Sequence, residues 1–214
     1  MKQAEIAGRE VWVYQTTDRP EWVIIQPVDE HDRQGLDEEA AWLGSHSALT
    51  FTLVAFRIGN WNVELSPWQA PAVFGREDFG DGAATTLCYV LDQLVPRFRG
   101  NRYCLGGYSL AGLFALWSGY QTDVFSSVAG VSPSVWFPHW IEFAESHQMK
   151  AGRVYLSLGD KEPKTKNPAM ARVGECIERM HELLYCEKML EWNEGNHFKD
   201  NAIRTAKGLA WAAG

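Results

Sequence analysis

Apolar and polar positions alternate along this chain with two different periods. Short runs of β-branched and aromatic residues predict strands, and segments with apolar residues three and four positions apart predict helices. The predicted strands cover residues 10–15, 22–28, 50–58, 101–107, 125–131, 153–158 and 188–192. The predicted helices cover residues 36–46, 83–94, 110–120, 139–147, 168–185 and 200–211.

These elements predict an α/β fold. Turn formers at residues 16–20 separate the first two strands and predict an opening hairpin. From residue 50 onward strands and helices alternate, which is typical of a mainly parallel, twisted sheet with helices on both faces. Because no repeat or linker interrupts the pattern, we expect residues 1–214 to form a single domain with an antiparallel start and no lid domain. Ligands bind beyond the carboxyl ends of strands in such sheets, so the loops that follow strands are the candidate sites.

One strand-to-helix junction carries a candidate nucleophile. The segment Gly107-x-Ser109-x-Ala111 places small residues on both sides of a serine, which permits the sharp turn of a nucleophile elbow. A serine that only caps the following helix is the structural alternative. A dinucleotide-binding glycine motif is disfavoured, because Ser109 replaces its middle glycine and no acidic residue lies near position 129.

A serine nucleophile needs a base and a group that orients the base. His197 lies in a glycine-containing turn after the last predicted strand, whereas His181 lies inside a predicted helix and is the weaker candidate. The orienting acid is expected in the loop after residues 153–158, where Glu162 is favoured and Asp160 is the alternative.

An oxyanion also needs backbone donors. The Leu110 N–H, at the start of the helix after the serine, is the first candidate. The second donor is expected after residues 50–58, where the N–H of Asn60 or Trp61 follows a glycine that lets the backbone approach a ligand closely.

Composition narrows the possible partners. The chain has 20 Lys and Arg residues against 27 Asp and Glu residues, and the formal charge of −7 disfavours nucleic acid. No apolar run approaches the ~18 residues of a membrane span and no signal peptide is evident, so we expect a cytoplasmic protein that does not bind membranes. The four cysteines form no C-x-x-C pair, and neither a metal nor an organic cofactor is expected.

Four segments together resemble one family of known proteins. They are residues 107–113 (GYSLAGL), 125–134 (FSSVAGVSPS), 158–162 (LGDKE) and 195–198 (GNHF). They look like the esterase family of α/β-hydrolases that includes siderophore (enterochelin) esterases and S-formylglutathione hydrolases, over roughly residues 50–210. The resemblance implies the α/β-hydrolase fold, with Ser109 as nucleophile and His197 as base.

The acid follows less directly from this resemblance. The position of the catalytic acid in S-formylglutathione hydrolases corresponds to Glu162. Some siderophore esterases, however, function with the serine and histidine alone. The chain departs from the family pattern at Ala111, where glycine is usual, and in its short length without an inserted lid. These last two features argue against a large or lipid-like substrate and favour acetyl to butyryl esters.

The sequence therefore predicts a serine hydrolase that cleaves a carboxylic ester or thioester of a small soluble substrate through an acyl-enzyme. The alternative is a hydrolase-fold protein that binds a ligand or partner without turnover, because a fold alone does not establish activity. Geometry separates the two, since a hydrolase needs Ser109 and His197 near hydrogen-bonding distance.

Overall fold

The computed structural model describes residues 1–73 and 75–214. Its strands are β1 (Lys2–Ile6), β2 (Arg9–Gln15), β3 (Trp22–Val28), β4 (Phe51–Arg57), β5 (Arg102–Tyr108), β6 (Ser127–Val131), β7 (Arg153–Gly159) and β8 (Glu187–Asn193). Its α-helices are α1 (Glu30–His46), α2 (Trp61–Glu64), α3 (Ala83–Tyr89), α4 (Leu110–Gln121), α5 (Trp140–Ser146), α6 (Pro168–Ala171), α7 (Val173–Leu183) and α8 (Asn201–Ala213). A π-helical turn, Val90–Leu94, continues α3, and a 3₁₀ turn, Glu162–Lys164, follows β7.

All eight strands form one sheet in the order β1-β2-β4-β3-β5-β6-β7-β8. The first two pairings, β1 with β2 and β2 with β4, are antiparallel, and every pairing from β4 through β8 is parallel. The prediction of a mainly parallel sheet with an antiparallel start is confirmed. It puts the carboxyl ends of β5, β6, β7 and β8 side by side at one edge, where the candidate loops begin.

Helices cover both faces of this sheet. Helices α1 and α8 pack together over one face, around a cluster that includes Ile24, Leu53 and Leu209. Helix α4 packs on the other face against β5 and β6, in the larger cluster that also includes residues of α3, α5 and α7. A sheet covered on both faces needs strands that are mostly apolar, and all seven residues of β3, six of them apolar, are buried.

The predicted opening hairpin was wrong. Strand β3 lies between β4 and β5, while β2 pairs with β1 through a two-residue turn at Ala7 and Gly8, both with positive φ. Strand β3, fully buried and apolar except for Gln26, is stabilised at the centre of the sheet, whereas the partly exposed β2 can lie near its edge. Strand β1 was missed because four of its five residues are exposed and show no apolar alternation.

Two helix boundaries also differ from the prediction. Helix α1 begins at Glu30 because the Asp29 side chain caps it by accepting the Asp32 N–H. The helix predicted over 168–185 is divided at Arg172 into α6 and α7. Within the described part of the chain, none of the helices has the length and apolar character needed to span a membrane.

Candidate active site

Ser109 lies in the turn between β5 and α4 and has an unusual backbone conformation. Its φ of 58° and ψ of −121° are rarely adopted by a residue with a side chain, and such strain is concentrated at functional sites. The Ser109 N–H donates to the Val131 carbonyl at 3.0 Å, which ties the turn to β6. A Cβ on Gly107 would lie 2.7 Å from Ala111 Cβ, so this turn requires a glycine before the serine.

His197 reaches Ser109 from the loop between β8 and α8. Its Nε2 lies 3.0 Å from Ser109 Oγ. The Tyr108 hydroxyl donates to the His197 carbonyl at 2.8 Å, so the residue before the serine also fixes the backbone of the histidine. The structure thus brings the predicted nucleophile and base within hydrogen-bonding distance. His181, the weaker candidate, lies in α7 as expected.

Glu162, in the 3₁₀ turn after β7, contacts the other ring nitrogen of the histidine. Its Oε2 lies 2.7 Å from His197 Nδ1. Its Oε1 accepts hydrogen bonds from the Gly159 N–H at 2.7 Å and from the Ser132 hydroxyl at 2.8 Å. The side chain is buried, and these bonds fix its orientation toward the imidazole.

Asp160, the alternative acid, binds elsewhere. Its Oδ1 accepts the Gly195 N–H at 2.6 Å, and this hydrogen bond lowers the pKa of the Asp160 carboxyl below its ordinary value. Gly195 lies two residues before His197 and has a φ of 113°, a conformation that favours glycine. Asp160 therefore holds the backbone of the histidine loop, and Glu162 holds the histidine ring.

The Ser132-Pro133-Ser134 segment after β6 contacts both ends of this array. Ser132 donates to Glu162, and Ser134 Oγ lies 3.5 Å from Ser109 Oγ. The Ser134 N–H donates to the Ser109 carbonyl at 3.0 Å. No individual role for the serines of this segment was predicted from the sequence.

Arg204 is another site residue that sequence reasoning missed. It lies on the buried side of α8 with 3% of its surface exposed. Its guanidinium donates to the carbonyls of Glu194 at 2.9 Å and Asn196 at 3.2 Å, and to the Tyr108 hydroxyl at 3.3 Å. It also lies 3.5 Å from Glu162 Oε1. A charged residue on the apolar stripe of a helix was the available signal, because a buried charge needs partners.

The two predicted oxyanion donors differ in the hydrogen-bonding environment of their N–H groups. Leu110 is the first residue of α4, so its N–H is among those that a helix leaves without an intrahelical acceptor. The Asn60 N–H instead donates to Glu64 Oε1 at 2.7 Å, within its own loop. Asn60 could act as a donor only after this bond is broken or shared, and its role stays a prediction.

A cavity of about 300 Å³ opens beside His197. Its wall contains apolar side chains and two lysines, namely Trp136, Met170, Val173, Phe198, Lys161 and Lys164. The Phe198 ring is 79% exposed and stands edge-on to the His197 imidazole, with 5.4 Å between ring centroids. Among the described residues, no group of three or more His, Cys, Asp or Glu side chains is arranged to hold a metal ion.

Comparisons with known proteins define the class of fold. No protein-family model and no curated protein matches the chain. Solved structures do match. An IroE-like serine hydrolase from Shewanella oneidensis is 17% identical with a TM-score of 0.77, over 95% of this chain and 75% of that one. Siderophore hydrolase EstA from Aspergillus nidulans is 15% identical with a TM-score of 0.71, over 96% of this chain and 89% of that one.

The enterobactin hydrolase IroE in complex with DFP is also similar, at 15% identity and a TM-score of 0.65, over 96% of this chain and 89% of that one. The chain therefore has the α/β-hydrolase fold, as the sequence predicted. Because one fold supports many activities, the chemistry has to be argued from the site itself.

Proposed function

We propose that this protein is a serine hydrolase that cleaves a carboxylic ester or thioester of a small soluble substrate through an acyl-enzyme at Ser109. One observation carries the proposal, namely the continuous chain of short contacts from Ser109 Oγ through His197 to Glu162 Oε2. Such a chain is the arrangement that turns a weakly nucleophilic hydroxyl into a reactive one. Similar proteins of the same fold named as serine and siderophore hydrolases support it.

The proposed reaction has two halves. His197 Nε2 takes the Ser109 proton while Oγ attacks the carbonyl carbon, and the Leu110 N–H donates to the oxyanion that forms. His197 then gives the proton to the departing alkoxide or thiolate, which leaves an acyl group on Ser109. Water, deprotonated by the same nitrogen, attacks the acyl carbonyl carbon, and His197 returns that proton to Ser109 Oγ as the acid is released. Glu162 accepts the Nδ1–H throughout, which keeps Nε2 free to act as the base.

Replacement of the serine tests this proposal. Ser109→Ala should lower hydrolysis of para-nitrophenyl butyrate by about 10⁴-fold or more, because it removes the atom that bonds to the acyl group. The Ser134→Ala variant is the matched control, since it removes a hydroxyl 3.5 Å away. It should retain most of the activity.

A fluorophosphonate probe gives a second readout, and peptide mapping should find its label on Ser109 in the unmodified protein. Near-normal hydrolysis by Ser109→Ala, or a label on another residue, would exclude this serine as the nucleophile. A folded protein without turnover of any ester or thioester would favour the non-catalytic, ligand-binding alternative.

A further inference from the structure

The cavity beside His197 combines an apolar wall with positive charge. Trp136, Met170 and Val173 contribute apolar surface, and the largely exposed Phe198 ring stands next to the catalytic imidazole. An exposed aromatic ring is unfavourable in water, and covering it with a ligand stabilises the complex. The apolar side of the cavity therefore suits a hydrocarbon or aromatic part of a substrate.

Lys161 and Lys164 supply the charge on the same wall. Within the part of the chain that the structure describes, neither ammonium lies within 4.0 Å of a carboxylate, whereas the nearby Lys199 pairs with Glu194 at 3.3 Å. Asp160 is the carboxylate on which both lysines act electrostatically, and it is already bonded to the Gly195 N–H. In a chain with a net charge of −7, these two lysines make the cavity locally cationic.

One carboxylate lies in the wall itself, and its environment decides whether it would repel an anion. Glu162 is 8% exposed. Its two oxygens are occupied by His197, the Gly159 N–H and the Ser132 hydroxyl, with the Arg204 guanidinium 3.5 Å away. Its charge is therefore compensated within the protein, and the free charges of the cavity are those of the lysines.

We propose that this cavity binds an anionic substrate arm, an apolar segment of the ester that ends in a carboxylate held by Lys161 and Lys164. This inference rests on the proposed esterase function and adds the chemical class of the substrate. The apolar segment would cover Phe198 and Trp136, and the carboxylate would lie at the lysine side. Neutral esters of the same size would lack the interaction with the two lysines.

Two matched pairs of esters test the proposal and locate the charge. For an anion on the acyl side, mono-para-nitrophenyl adipate is compared with para-nitrophenyl hexanoate. For an anion on the alcohol side, para-carboxyphenyl butyrate is compared with the neutral para-carbamoylphenyl butyrate. In at least one pair we expect kcat/KM to be about fivefold or more higher for the anionic ester at low salt, after subtraction of spontaneous hydrolysis. The preference should shrink as salt screens the lysines.

Variants of the lysine loop assign the preference to this cavity. Lys164→Glu should abolish or reverse it, and Lys164→Arg should retain it, because the charge is conserved. Lys166→Glu is the matched control, since it makes the same charge change two residues away on a side chain that does not line the cavity. Lys161→Gln, a milder change beside Glu162, should weaken the preference.

The outcomes separate this inference from the proposed function. Hydrolysis of the neutral esters with no anionic preference in either pair would overturn the inference and leave the esterase proposal standing. A preference that Lys164→Glu and Lys166→Glu reduce equally would also overturn it, because a general surface field would then be the cause. Failure to hydrolyse any of the four esters, with no fluorophosphonate label on Ser109, would count against both.

Discussion

At the scale of single residues, the two carboxylates of the loop after β7 have different partners. Glu162 lies 2.7 Å from His197 Nδ1, and Asp160 lies 2.6 Å from the Gly195 N–H. We expect Glu162→Gln to lower kcat by up to about 10⁴-fold, the effect of an amide that imposes the wrong imidazole tautomer in a serine protease. Asp160→Asn should lower kcat by less than about tenfold, because it weakens only one hydrogen bond to the histidine loop.

Steady-state kinetics of both variants on one ester decide between these assignments. A larger loss for Asp160→Asn would make Asp160 the functional acid. Small and equal losses would indicate a dyad of Ser109 and His197 alone.

A buried acid outside the chain of contacts from Ser109 to Glu162 gives a prediction about stability. Glu39 on α1 is buried and accepts a hydrogen bond from Gln26 Nε2 at 2.6 Å. Burial raises the pKa of Glu39 from 4.5 to about 8. The unfolded chain loses this proton near its ordinary pKa and the folded chain holds it longer, so this group makes the protein less stable as pH rises from about 4.5 to 8.

Glu39→Gln should remove that dependence, since the amide stays neutral and keeps an acceptor for Gln26. Urea unfolding between pH 5 and pH 8 should show a slope of stability against pH that differs by up to about 1.4 kcal/mol per pH unit from that of the parent. Glu38→Gln, on the exposed side of the same helix, is the control. Parallel pH profiles for parent and Glu39→Gln would show that Glu39 is ionised in the folded protein.

At the scale of elements, one helix holds the loops that carry the base and the acid. Arg204 of α8 bonds the carbonyls of Glu194 and Asn196, in the loop just before His197, and lies beside Glu162 and Tyr108. Arg204→Met should destabilise the protein by about 3–5 kcal/mol, because it leaves buried partners without their cation. It should also lower kcat more than it changes KM, because the histidine is less well positioned.

Urea unfolding and steady-state kinetics measure the two effects. Arg204→Lys should recover part of both, since an ammonium keeps the charge but cannot form all the bonds of a planar guanidinium. Lys207→Met, on the partly exposed side of α8, should change stability by less than about 0.5 kcal/mol. Full stability and activity in Arg204→Met would assign Arg204 no positioning role.

At the scale of the whole molecule, one sheet contains strands from nearly the full length of the chain. Strand β1 begins at Lys2, β8 ends at Asn193, and each strand is hydrogen-bonded to its neighbours in an unbroken order. We therefore expect unfolding to be a single cooperative transition. Far-ultraviolet circular dichroism and tryptophan fluorescence should give the same urea midpoint, whereas two separated midpoints would indicate independently folding parts.

The sequence by itself predicted most of the elements and the candidate nucleophile and base. Strand-helix alternation, the small residues around Ser109 and the glycine turn at His197 are properties of neighbouring residues, so they could be recognised without the fold. The mainly parallel sheet followed from the same alternation.

Only the tertiary structure decided which segments meet. The position of β3 between β4 and β5, the choice of Glu162 over Asp160 as the partner of the imidazole, and the contacts of Arg204 all depend on residues far apart in sequence. The physical reason is that strand order and buried polar contacts are fixed by how the whole chain buries apolar surface and satisfies its charges. A local pattern does not contain that information.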